Sequence, residues 1–374
     1  MATNTINENV EQAILDFGTI KQAIIDKGVE VPEGTPTSQY ATKIGEIQSG
    51  GSSSDDFKGM VERTATEVAL PSDCTKIGDY AFYHYSDLTS VNMPDSVTSI
   101  GNNAFSSCTS LALTSLPEGI TSIGNHAFSS CSKLALTSLP EGITSIENSV
   151  FESCTKLALT SLPSGVTSIG NQTFYNCTSL ALTSLPEGIT SIDYRAFSGC
   201  TNLALTSLPE GLTSIENSAF DACTNLALTS LPSGVTSIGL AAFRNCTNLA
   251  LTSLPEGITS IGSNAFEGCT NLALTSLPSG LTKIDVRTFD MCKSLVLTSL
   301  PSGLKSIDLY AFQGCTSLTE ITFEGTPNYI SSDIFSNCTN LTTIRVPWAE
   351  GEVAGAPWGA SNASLIYSYT PETT

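Results

Sequence analysis

Three sets of residues in this 374-residue chain have types that could do chemistry: twelve cysteines, two histidines and a recurrent glutamate. Cys108 to Cys338 follow one another at a fixed step of 23 residues. Redox or zinc chemistry needs a Cys-x-x-Cys pair or a histidine close to the thiols, and neither spacing occurs. Equal steps would stack each Cys over its equivalent about one strand spacing (~4.8 Å) away, beyond the ~3.5–4.5 Å that the Cβ atoms of a disulfide prefer. In the first coil Tyr85 takes the Cys place, and Cys74 stands where other coils carry Ile120 or Val166. The cysteines therefore read as a buried, reduced column of small apolar groups.

The two histidines, His84 and His126, fall in different slots of nearby coils, and neither has a Ser or Cys nucleophile it could orient. Glu118, Glu141, Glu187, Glu210 and Glu256 recur at one slot. That carboxylate column is either a weak Ca²⁺ site or a solvated face. Asn-Cys-Thr at Asn176, Asn245 and Asn337 fits a glycosylation pattern, but the Cys slot imposes it. No phosphate-binding loop or zinc spacing is present. The sequence assigns no catalytic, cofactor-binding or metal residue, and the expectation is a protein that is not an enzyme.

The element that positions all of these groups is a 23-residue unit whose Phe recurs without insertion at 82, 105, 128, 151, 174, 197, 220, 243, 266, 289, 312 and 335. A fixed period with apolar residues locked to it marks a solenoid, in which each coil buries its face against its neighbours. The expected fold is mainly β, with twelve coils and a short α-helical N-terminal module. Nine internal coils read Leu-Ala-Leu-Thr-Ser-Leu-Pro or the Val296-bearing equivalent, with apolar residues at +3, +5 and +8 from the Cys slot. Strict alternation breaks there, which predicts a bulge before the Pro. The first coil (Leu88, Val91, Met93) and the last two (Leu318, Ile321, Phe323; Leu341, Ile344, Val346) keep +3, +6 and +8.

Four segments follow. Residues 1–49 are a helical mounting or oligomerisation module and 50–56 a Gly/Ser linker. Residues 57–347 are the solenoid with its N-cap, and 348–374 are a C-terminal cap carrying Trp348 and Trp358, the only tryptophans. A capping box at Thr5–Glu8 and Gly28 as a stop predict a helix from about residue 6 to 27. Ile6, Val10, Ala13, Phe17, Ile20 and Ile24 step by four and three along it, a seam for a homo-oligomer or a partner helix, or else for a hairpin folded on itself. The tryptophans either cover the last coil or stack on a ligand.

Within the repeat, the places around the Phe change from coil to coil while the Leu-Thr-Ser-Leu-Pro edge is constant. Tyr80, His126, Tyr194, Arg195, Arg287 and Tyr310 mark this individualised flank as the candidate recognition surface, unless the variation is drift after duplication. The formal charge is −20 with only 13% charged residues, a surface that repels phosphate backbones and anionic lipid. Neither nucleic acid nor membrane is expected as a partner. No apolar run reaches the ~20 residues needed to span a bilayer, and Met1–Glu8 has neither a basic nor an apolar leader segment, so folding in a cytoplasm is expected.

The pattern Leu-Pro-x-Gly-Ile-Thr-Ser-Ile-Gly-Asn-x-Ala-Phe-x-x-Cys-x-x-Leu resembles the BspA-like leucine-rich repeat, a treponemal-type class found in bacterial surface proteins and in phages of gut bacteria. The resemblance spans about three quarters of the chain. Residues Ile24–Ile47 resemble a short module near the N-termini of phage tail and fibre proteins. Together these imply a non-enzymatic phage virion protein, folded in the host cytoplasm. Residues 1–49 would attach to other virion proteins, and the solenoid would meet a host cell-surface protein or glycan or decorate the particle. A bacterial cell-surface adhesin is the alternative, and a solenoid glycan hydrolase a more distant one.

Overall fold

The computed structural model describes residues 65–370. The expected helical module at 1–49, with Ile6, Val10, Ala13, Phe17, Ile20 and Ile24, the linker at 50–56 and the start of the N-cap lie outside the described residues. The chain divides into two compact units. Of the described residues, the first takes those up to Val166 with Thr173–Leu180, and the second takes Thr167–Gln172 with those from Ala181 onward. Every regular element described is a short β-strand; none is a helix.

In the first unit, β1 (Glu67–Ala69) pairs in parallel with β3 (Ser90–Asn92). A second parallel sheet joins β2 (Lys76–Ile77), β4 (Ser99–Ile100) and β5 (Ser122–Ile123), with Ile77, Ile100 and Ile123 in register. In this sheet each strand is only two residues long, because Ile points into the core and the chain then turns. Phe82, Phe105, Phe128, Phe151 and Phe174 stack at centroid distances of 5.1 to 5.8 Å. All five are buried, and burying such a ring contributes ~1.5–3 kcal/mol.

The second unit repeats this plan. The Ser-Ile ladders are β6 (Ser168–Ile169) with β7 (Ser191–Ile192), then β8 (Ser214–Ile215), β9 (Ser237–Ile238) and β10 (Ser260–Ile261). After β11 (Lys283–Ile284), β12 (Ser299–Leu300), β13 (Ser306–Ile307), β14 (Glu320–Phe323), β15 (Tyr329–Ile330), β16 (Thr343–Arg345) and β17 (Ser364–Ile366), the chain closes in two sheets, β11-β13-β15 and β12-β14-β16-β17. Phe197 to Phe335 form the second Phe column, at 5.4 to 5.6 Å. Phe335 N–H donates to Trp358 O, and β17 pairs with β16, so the tail lays one turn more than the twelve Phe-bearing coils.

The expected bulge takes another form. The Leu-Ala-Leu segments carry no strand, and inter-coil bonds there are of the kind Ala135 N–H to Leu113 O or Ala227 N–H to Leu205 O. Leu134, Leu136 and Leu139 are all buried, at steps of two and then three. A pleat alternates at two, so the backbone must leave the ladder to bring the third Leu inside. Strands return where the +3, +6, +8 pattern returns, as in β14 with Ile321 and Phe323 inward.

Candidate recognition surface

After each Ser-Ile strand the chain runs through a turn segment with two residues in the left-handed region, four positions apart. In the first unit the leading slot holds Tyr80, Asn103, His126 and Ser149, at φ 53 to 57°. In the second it holds Gln172, Arg195, Ser218, Ala241, Asn264, Arg287 and Tyr310, at φ 52 to 60°. His84, Ser107, Ser130 and Ser153 occupy the trailing slot of the first unit, and Gly199, Ala222, Asn245, Gly268, Met291 and Gly314 that of the second. The conformation costs about 1–2 kcal/mol per L-residue. It is sustained because it aims N–H groups at the next coil: Tyr80 donates to Asn102 O at 2.8 Å, Phe82 to Ala104 O at 2.6 Å and His84 to Ser106 O at 2.9 Å. No β-branched residue occupies either slot among those named, as the sterics demand.

Five of the six residues predicted for recognition thus share one backbone position. Tyr80 and His126 lie in the first unit, Arg195, Arg287 and Tyr310 in the second, and Tyr194 stands one place ahead of the slot. His126, Tyr194 and Arg287 are exposed; Tyr80, Arg195 and Tyr310 are half-buried. The Arg195 guanidinium lies 5.0 Å from the Tyr194 ring centroid, and that of Arg287 5.4 Å from the Tyr310 ring. Each Tyr–Arg pair is a cation–π platform with a flat face and a set of donors. Tyr80 meets Tyr83 edge-on at 5.5 Å, and Tyr83 meets His84 at 4.1 Å.

The place ahead of the slot was not singled out by sequence. In the first unit it holds Asp79, Asn102, Asn125 and Asn148, and the side-chain oxygens of the first three accept the equivalent N–H of the next coil. The distances are 2.6 Å for Asp79 to Asn102, 2.9 Å for Asn102 to Asn125 and 3.2 Å for Asn125 to Asn148. In the second unit Asn217 does the same for Leu240 at 2.7 Å. There the place otherwise carries Tyr194, Leu240, Val286 and Leu309, exposed by 40, 50, 37 and 38%. The recurrence of Asn was the signal available, since a repeated amide in a turn marks a repeated hydrogen bond.

Charged groups on the same segment pair across coils. Arg244 grips Asp221 with two bonds of 2.9 and 2.7 Å, and that carboxylate keeps the guanidinium charged above its ordinary range. Asp290 is buried, its Oδ1 lacks a hydrogen-bond partner, and Arg287 Nε stands 3.7 Å from Oδ2. Burial, and then the neighbouring Glu267 carboxylate, push Asp290 up.

The other chemically capable residues are placed as structural parts. Every cysteine is free and buried. Cys108 Sγ donates to Phe82 O at 2.9 Å and Cys246 Sγ to Phe220 O at 3.0 Å, so the thiols tie each coil to the Phe carbonyl before it. Burial pushes Cys108 and Cys338 up to about 12, far from the range of a thiolate nucleophile. The glutamates of the recurrent column are exposed, and Glu141 accepts from Ser164 N–H at 3.3 Å. Among the described residues no three His, Cys, Asp or Glu side chains come together to hold a metal ion, and no helix is long and apolar enough to cross a membrane. Trp348 and Trp358 are buried against Phe323 at 5.4 and 5.5 Å, the covering role of the two readings left open.

The family profile of the BspA type leucine rich repeat region matches residues 61–181, 144–272 and 241–350. Among solved structures, a leucine-rich repeat protein from Bacteroides ovatus is similar at 26% identity and TM-score 0.62, over 82% of this chain and 85% of that one. A leucine rich cell surface protein from Faecalibacterium prausnitzii is similar at 30% identity and TM-score 0.54, over 82% of this chain and 92% of the other. No curated protein matches the sequence. Both neighbours are bacterial, and one is a cell surface protein, which favours the adhesin alternative over the phage-particle expectation.

Proposed function

The chain belongs to the BspA-type leucine-rich repeat family, and from that premise we propose that it is a non-enzymatic bacterial cell-surface protein that recognises an external partner through its turn segments. The observation that carries the reading is the leading left-handed slot. Inter-coil bonds hold its backbone at Tyr80, His126, Arg195 and Arg287, and its side chain changes from Tyr80 to His126, Arg195, Arg287 and Tyr310. A rigid scaffold with individualised Tyr and Arg groups is the usual make-up of a binding surface, because such side chains anchor contacts at little entropic cost. The likeness to a cell surface protein supports the location. The phage-particle reading rests on residues 24–47, outside the described part, and is set second for that reason.

Ala241 occupies the same slot at φ 52°, so alanine is compatible with the fold there. Beads coated with the chain should adhere to the cells or glycans that the source bacterium contacts. The variant carrying Tyr80→Ala, His126→Ala, Arg195→Ala, Arg287→Ala and Tyr310→Ala should lose adhesion tenfold or more while melting within a few degrees of wild type. Undiminished adhesion by the folded variant would remove the slot as the recognition surface. Antibody that labels only permeabilised source cells would remove the surface location.

A further inference from the structure

The apolar column of the second unit points to a different contact. Tyr194, Leu240, Val286 and Leu309 stand at one structural place with Asn217 and Ser263 between them, and the register is continuous: Arg195 N–H donates to Asn217 O, Ser218 to Leu240 O, Ala241 to Ser263 O, Asn264 to Val286 O and Arg287 to Leu309 O. Asn is the residue this place uses structurally, because its side-chain oxygen accepts the next coil's N–H, as Asn217 does for Leu240. Tyr194, Leu240 and Val286 carry no oxygen within that reach. Each gives up the bond and exposes more than a third of a large apolar side chain. Loss of a bond together with gain of an exposed apolar group, three times in one column, is the mark of a surface that something covers.

The spacing says what fits. Phe rings in this unit step by 5.5 to 5.6 Å from Phe197 to Phe289. Tyr194 to Leu240 and Leu240 to Val286 are therefore each about 11 Å, close to the ~10.5 Å that an α-helix rises in seven residues. The single coil from Val286 to Leu309, 5.4 Å by the Phe289–Phe312 rings, is close to one helical turn of ~5.4 Å. An amphipathic helix laid along the column would thus meet it with one apolar side chain per one or two turns.

We infer that the occupant is the Ile6–Ile24 segment of a second copy of this chain. Its apolar seam, expected to be helical, would span ~27 Å over 18 residue steps; the column from Tyr194 to Leu309 spans five coil steps, also about 27 Å. The edges are complementary as well. Asp193 and Glu216 lie on the leading side of the column, and Arg195 and Arg287 on the trailing side. Asp16 and Lys21 fall on opposite edges of the seam, at the two flanking heptad positions. This contact requires no external ligand, and it covers Tyr194 and shares Arg195 and Arg287 with the recognition surface.

The test uses the full chain. Phe17 is replaced by the photo-crosslinker benzoylphenylalanine, and in a separate protein Leu240→Asn and Val286→Asn install the residue that the column carries elsewhere, so the fold is retained. Wild type should scatter light as an oligomer of the 39.1 kDa chain. Irradiation should join position 17 of one copy to peptides containing Leu240 or Val286 of another. The Asn pair should return the mass to that of one chain without lowering the unfolding midpoint. A monomeric wild type, adducts between position 17 and the N-terminal segment of another copy, adducts confined to one chain, or an oligomer indifferent to the Asn pair would each overturn the proposal.

Discussion

Replacing Phe243 with alanine tests whether the ring column supports the second unit. Phe243 is fully buried and lies between Phe220, at 5.5 Å with planes 2° apart, and Phe266, at 5.6 Å with planes 8° apart. Truncating a buried Phe to Ala costs about 3–5 kcal/mol, because the cavity adds to the lost transfer energy. The loss here belongs at the upper end, near 4–5 kcal/mol, since two ring pairs worth ~0.5–1.5 kcal/mol each beyond their area disappear together. Phe243→Leu keeps most of the volume and should cost roughly 1–2 kcal/mol. Urea melts followed by far-UV circular dichroism give both values. Tryptophan fluorescence adds a local readout, because Trp348 and Trp358 sit only at the end of this unit. In a nearest-neighbour array a broken coil decouples what lies on either side, so the two probes should separate in the Ala variant and coincide in wild type. An Ala loss below ~1 kcal/mol would show that the rings merely fill space already held by the Leu and Ile columns, and the reasoning would fail.

Three further outcomes are expected. The cysteines should be silent to a thiol reagent in the native protein at pH 7 and should all react after denaturation without reductant. Because burial raises the folded thiols from 9.0 to about 12 at Cys108 and Cys338, the native state keeps protons that the unfolded chain releases. Stability should be complete below pH 9 and fall as pH climbs from there toward 12. A pH-independent melt between 9 and 11 would contradict the buried column. At the leading slot, Ala241→Gly should raise stability by ~0.5–1 kcal/mol, since glycine adopts φ 52° without a Cβ penalty, while Ala241→Val should lower it by more than 1 kcal/mol. Equal midpoints for the two would mean that the slot tolerates any backbone.

The ladders were legible in the sequence because their cause is apolar period. Phe, Cys and Leu recur at one step, and a residue that recurs with its neighbours fixed can only be meeting copies of itself. The buried thiols followed from the same step, whereas the place of Trp348 and Trp358 after the last coil left covering and ligand stacking both open until their packing on Phe323 was seen. The Leu-Ala-Leu segments misled for a physical reason: a pattern of three inward leucines states which side chains are buried but not how the backbone satisfies its hydrogen bonds. A single bond such as Ala135 N–H to Leu113 O serves where a strand pair was expected.

The turn column was half legible, and the difference lies in what variation means at each place. Tyr80, His126 and Arg195 look unconstrained in sequence, yet their shared φ of 54 to 57° excludes β-branched side chains, so the slot varies within a limit the backbone sets. The place ahead of it behaves oppositely. Asn102 and Asn125 hold it through a hydrogen bond that repeats from one coil to the next, so drift would restore Asn or leave small polar residues such as Ser263. It would not yield four large exposed apolar groups confined to the second unit. Variation that obeys the local rule is compatible with drift. Variation that breaks it at the cost of a bond needs a compensating contact, and that asymmetry makes Leu240 and Val286 more informative about assembly than the more conspicuous Tyr and Arg residues beside them.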